Sequence, residues 1–75
     1  MIDELESVIL TVDLPDYHLK AGDIGTVVLV HGEGAGYEVE FTALNGETLA
    51  VISARADQLR RVRRGEIAHA RVVGN

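Results

Sequence analysis

Cysteine and tryptophan are both absent from this chain of 75 residues, and proline occurs once. Without thiols there is no disulfide to staple a small domain and no thiolate metal site, a composition that fits a reducing compartment. Aromatic side chains are scarce too, limited to Tyr17, Tyr37 and Phe41. That is too few for the ring-lined groove that grips polyproline, or for the stacking platform that holds single-stranded nucleic acid. Bases are nearly missing from the first part of the chain, where Lys20 stands alone against ten carboxylates up to Ala54. No apolar run approaches the roughly 20 residues needed to cross a bilayer. The opening Met1-Ile2-Asp3-Glu4-Leu5-Glu6 is acidic where a secretory leader is basic, so a cytoplasmic protein is expected. With 47% apolar residues the chain suffices for one small domain and not for two, and its core must be modest.

Groupings that carry chemistry are missing as well. His18, His31 and His69 are scattered, and their pairing with Asp16 or Glu33 supplies two ligands where a metal site needs more, so no metal is expected. His31-Gly32-Glu33-Gly34-Ala35-Gly36 is rich in glycine, yet no P-loop lysine and no dinucleotide spacing accompany it. It reads as a flexible hairpin connection. Ser7 and Ser53, the only serines, fall in predicted strands with no serine–histidine–acid order around them. The expectation is a protein that is not an enzyme and carries no cofactor.

What is present is alternation. Period-two patterning recurs from residue 8 to residue 52, broken by turn residues, and predicts strands at Val8–Val12, Ile24–His31, Tyr37–Thr42 and Thr48–Ser53. Leu19-Lys20-Ala21-Gly22-Asp23-Ile24-Gly25 is a glycine-punctuated loop whose turn runs straight into a β-branched, buried strand. Tyr37, Val39 and Phe41 share one face of the third strand, and Glu38, Glu40 and Thr42 the other. Asn45-Gly46 signals a tight hairpin, with both residues suited to the positive φ of a type I′ turn. A turn through Ala56-Asp57-Gln58 leads to a fifth strand at Leu59–Val62 that would close the sheet on itself. Five short strands with a long first loop are what a small SH3-like barrel requires, since closure removes exposed edges. The expected architecture is thus an all-β, five-stranded SH3-like barrel over residues 1–62. A C-terminal extension over residues 63–75 follows, open to an added strand, a short helix or a frayed tail.

Charge is divided along the chain. By counting, residues up to Ala54 carry about −9 and those from Arg55 onward about +4. This predicts either an internal electrostatic clasp or two faces for different partners. Glu38, Glu40 and Glu47 are expected on a solvated outer face of the third and fourth strands, where they would steer a basic partner. Arg60, Arg61, Arg63 and Arg64 form the cluster suited to carboxylate or phosphate, because guanidinium forks match both.

The blocks Asp13-Leu14-Pro15, Leu19 to Val28, Tyr37 to Phe41, Gly46-Glu47-Thr48-Leu49-Ala50 and Asp57-Gln58-Leu59 resemble a bacterial family catalogued as domain of unknown function 4926. The resemblance spans about residues 5 to 62 and rests on the order and spacing of all five blocks. It implies an SH3-like fold and no established activity, so it transfers no catalytic residue. It is silent on the arginine-rich extension after Val62. Gly22 to Val28 is also similar to the turn-and-strand of KOW motifs, SH3-like modules that touch RNA. The bending of a barrel strand is enough to account for those glycines.

The expected role is that of a protein-interaction module, an accessory, adaptor or regulatory subunit binding a protein partner or itself. Glu38, Glu40, Glu47, Arg60, Arg61, Arg63 and Arg64 are its candidate contact residues. The alternative is a KOW-like RNA- or DNA-binding module using the C-terminal arginines. A net charge of −5 opposes the phosphate attraction that such binding draws on. Neither a membrane nor a small-molecule substrate is indicated.

Overall fold

The alternating blocks form five antiparallel strands, β1 (Ser7–Leu10), β2 (Ile24–His31), β3 (Gly36–Thr42), β4 (Thr48–Arg55) and β5 (Leu59–Arg61). The computed structural model describes residues 1–74; Asn75, the last residue of the expected extension, lies outside them. Single 3-10 turns at Pro15–Tyr17 and Ala56–Gln58 are the other regular elements among the described residues, and no helix is long and apolar enough to cross a membrane. The strands make one sheet in the order β4-β3-β2-β1-β5.

That order places β4 and β5 at opposite edges. The closure expected from the fifth strand is not made by backbone pairing: β5 joins β1, through Val8 with Arg61, Ile9 with Arg60 and Leu10 with Leu59. The 3-10 turn at Ala56–Gln58 carries the chain from one edge to the other, which leaves β4 without a second neighbour.

Side chains from all five strands nonetheless share one core. Val8, Leu10, Val27, Tyr37, Val39, Phe41, Ile52, Ala54 and Leu59 pack together on the concave side. Leu19, a loop residue, completes the cluster at 2% exposure. It is delivered by a bridge between Leu14 and Leu19, whose N–H groups each donate to the other's carbonyl at 2.9 and 3.1 Å. Pro15 starts the 3-10 turn between them, and His18 ends it at φ 59°.

Several boundaries differ from expectation for local reasons. β1 stops at Leu10, although Thr11 still donates its N–H to the Gln58 carbonyl at 2.9 Å. β4 continues through Ala54 and Arg55 because Tyr37 and Gly36 offer them partners. The Asn45-Gly46 hairpin is not type I′, since only Gly46 has positive φ, at 94°. It is a three-residue loop in which the Gly46 N–H donates to Ala43 and the Ala43 N–H to Glu47, the pattern that ends in a glycine bulge. β2 is not the buried strand its composition suggests. A register shift between Val27 and Leu29 inserts Val28 as a bulge, so Val28 and Leu29 both turn toward solvent and Ile24 is exposed at the strand's start.

Val62 to Gly74 contains neither helix nor strand. Two arginines tie this tail down. Arg60 grips Glu66 through both guanidinium nitrogens at 2.9 and 2.7 Å, and Arg71 forks onto both carboxylate oxygens of Asp23 while also donating to the His18 carbonyl.

Candidate protein-binding face

The convex side of β2, β3 and β4 is built by the same alternation that fills the core. Register sets Thr26, Glu40 and Val51 in one row, and Leu29, Glu38 and Ser53 in the next. Its apolar members are well exposed, Val51 at 54%, Leu29 at 44% and Val28 at 40%. The face therefore mixes exposed aliphatic side chains with two carboxylates.

The carboxylates are held by neighbours on adjacent strands. Glu38 Oε2 accepts a hydrogen bond from the Ser53 hydroxyl at 2.6 Å and lies 2.6 Å from His31 Nε2. The Ser53 bond, then the His31 bond, hold the Glu38 carboxyl below its usual range against a weaker opposing effect of burial. Serine, glutamate and histidine thus meet, but both partners converge on one carboxylate oxygen. The hydroxyl donates to a carboxylate of depressed basicity, which is a weak base for activating a nucleophile. Glu40 accepts from the Thr48 hydroxyl at 2.7 Å. Glu47 sits in the β3–β4 hairpin rather than on a strand, exposed at the margin of the face.

The arginine cluster is divided between two uses. Arg60 is committed to Glu66, and Arg61 pairs with Glu6 at 2.8 Å and donates to the Met1 carbonyl. The Arg60 bond, with the Arg63 N–H behind it, lowers the Glu66 carboxyl to about 2. For Glu6 the Asp3 N–H is the main cause of a lowered pKa, with Arg61 adding to it and burial opposing. Burial acts on Asp23 to raise its pKa, and the Arg71 hydrogen bond together with the Lys20 N–H overcomes it. Arg63 and Arg64 make no side-chain ion pair among the described residues. The internal clasp predicted from the charge division is therefore present, and it engages part of the cluster.

A cleft of about 480 Å³ lies between the tail and the β3–β4 hairpin, lined by Leu19, Ile24, Phe41, Leu44, Leu49 and Val72 among others. Among the described residues no three histidine, aspartate or glutamate side chains gather where they could hold a metal ion.

Glu38 and Glu40 lie on the outer face of the third strand, as the alternation predicts, but the aliphatics beside them were missed. The missed signal was the run Val27-Val28-Leu29-Val30, four apolar residues where a half-buried strand alternates. An uninterrupted run on a strand with one wet face forces apolar groups outward or demands a bulge, and here both occur.

A family model described as Domain of unknown function (DUF4926) matches residues 4–61. No curated protein and no solved structure matches the chain. Since the matched region takes in all five strands, with the core built on them, the chain belongs to the family of this domain of unknown function.

Proposed function

We propose that the protein is a non-enzymatic protein-binding module whose convex β2–β3–β4 face accepts a basic, aliphatic-bearing segment of a protein partner. The observation that carries this reading is the row of exposed Val28, Leu29 and Val51 flanked by Glu38 and Glu40. Aliphatic contacts supply affinity, and the carboxylates steer a segment of opposite charge. The strand order β4-β3-β2-β1-β5, with a 3-10 turn linking the two edge strands, supports an SH3-like arrangement left open on one side. A nucleic-acid role is less well supported, since Arg60 and Arg61 are engaged by Glu66 and Glu6 and the whole chain is acidic.

The test is a titration of isotope-labelled protein with a synthetic peptide of alternating lysine and leucine, followed by amide chemical shifts. Shifts should centre on Val28, Leu29, Glu38, Glu40 and Val51, weaken as salt rises, and vanish in a Glu38→Lys, Glu40→Lys double variant. Shifts confined to Arg63 and Arg64 on adding a single-stranded oligonucleotide, with none from the peptide, would overturn the reading.

A further inference from the structure

The turn before β2 fixes a carboxylate before any cation reaches it. Gly22 donates its N–H to the Leu10 carbonyl at 2.8 Å, and the Leu10 N–H donates to the Asp23 carbonyl at 2.9 Å, so the turn is fastened to β1 from both directions. Asp23 Oδ2 accepts the Lys20 N–H at 2.8 Å, which holds the side chain as well. An acceptor set in this way needs little further ordering when a guanidinium docks on it. Arg71 supplies that guanidinium. Its Nε meets Asp23 Oδ1 at 2.9 Å, and its Nη2 donates both to Oδ2 and, at 3.1 Å, to the His18 carbonyl. The side chains of Arg71 and Asp23 keep only 28% and 18% of their surface in water, and Asp13 adds its own attraction for the arginine.

Beside this pair the tail does not fill the space it spans. In the cleft of about 480 Å³ the body presents Ile24, Phe41, Leu44 and Leu49, and the tail faces them with Ala68 and Ala70 before it reaches Arg71. Ile24 and Leu49 stay exposed, and Leu44 almost wholly so, despite the segment next to them. Small side chains over so large a space forgo the dispersion contacts that close packing supplies. The body wall falls within the residues 4–61 that the family model matches, and the tail wall falls outside them. A firmly held arginine on a poorly filled segment makes a contact that a better-filled segment can displace.

We propose that residues 68–73 are an autoinhibitory strap, occupying in cis a groove that takes a segment of a protein partner with an arginine set among bulky aliphatic residues. The partner's arginine replaces Arg71 on Asp23, and its aliphatic side chains enter the space that Ala68 and Ala70 leave open. Charge complementarity favours a basic occupant. Asp13 lies beside Arg71, and Asp23 and Glu47 line the cleft, whereas Lys20 is the one lysine or arginine that the body contributes there among the described residues. The strap acts at an effective concentration of about millimolar, so a partner must bind better than the alanine-bearing tail to expel it. Val28, Leu29 and Val51 do not line this groove, which is separate from the convex face and does not rest on the binding proposed there.

The probe is a synthetic peptide with blocked ends, carrying the residue order of positions 67–73 with leucine in place of both alanines. It is titrated into the isotope-labelled full chain and followed by amide chemical shifts. Shifts are expected at Asp23, Ile24, Phe41 and Leu49, and amides of residues 68–73 should lose protection in step as the strap is expelled. Arg71→Ala frees the groove and should tighten peptide binding about tenfold, as for a strap that leaves about a tenth of the grooves open. Asp23→Asn should abolish the binding, as should alanine in place of the peptide's arginine. Leu44→Lys, at an exposed position outside the core, is the second variant and should weaken it about tenfold. An Arg71→Ala chain that gives no shifts at millimolar peptide, or shifts undiminished in both Asp23→Asn and Leu44→Lys, overturns the proposal. A wild-type chain that binds the peptide as well as Arg71→Ala does overturns it too. Shifts confined to Val28, Leu29 and Val51 overturn the strap while supporting the convex face.

Discussion

Gly25 shows how much can hang on one missing methyl group. A Cβ built there would lie 2.6 Å from Val39 Cγ1, 2.9 Å from Phe41 Cε1 and 3.0 Å from the Glu40 carbonyl oxygen. Gly25→Ala is expected to destabilise the fold by about 1 to 3 kcal/mol through overpacking; denaturant unfolding reads it, and a change near zero would mean the neighbouring strand yields freely. From sequence, Gly22 and Gly25 look like two turn glycines, but only Gly22 has positive φ, at 97°. Close approach between strands depends on register, which residue spacing does not reveal. Glu66 gives a second residue-scale expectation. Its carboxyl falls from an ordinary 4.5 to about 2 in the folded chain, so its contribution is complete above about 4.5 and disappears as pH drops through about 2. Amide protection in the tail, taken relative to the intrinsic exchange rate at each pH, should fall between pH 5 and pH 2, and Glu66→Gln should flatten the change. Arginines and glutamates were visible as types; which arginine meets which glutamate was not.

At the level of elements, β3 was the most readable because Tyr37, Val39 and Phe41 alternate without interruption against Glu38 and Glu40. β2 was readable in extent and misread in burial, since a bulge at Val28 resets which residues face inward. The loop before β2 concealed its most important side chain. Leu19 follows a 3-10 turn and a left-handed histidine, with no periodicity to announce it, yet it sits among the core residues. Leu19→Ala is expected to cost about 2 to 5 kcal/mol, as for other buried leucines; a small loss in thermal or denaturant unfolding would show that the loop collapses into the space. The tail was unreadable for a different reason. Its anchor, Arg71 on Asp23, joins residues 48 positions apart, and such a contact leaves no local trace. Arg71→Ala should speed amide exchange over residues 68–74 while leaving the strands protected.

Considered whole, the molecule folds an uneven charge distribution back on itself. Arg61 with Glu6 and Arg71 with Asp23 join the basic end to the acidic body, while the core cluster extends no further than Leu59. A chain truncated after Val62 should therefore still unfold cooperatively, with a melting temperature lowered by no more than about 5 °C, since exposed ion pairs contribute little. Loss of the cooperative transition would mean that the tail is part of the folding unit. The five-stranded all-β character could be read from alternation; the path by which β5 reaches β1 instead of β4 could not, because a three-residue strand offers too little pattern to choose its neighbour. The two margins of the sheet are also unlike each other, one eight residues long with a neutral interior, the other three residues long and bearing Arg60 and Arg61. The long margin therefore presents the unpaired backbone groups of a strand, and the short one a screen of guanidinium groups. Any strand added to this sheet should consequently settle on the first margin and spare the second.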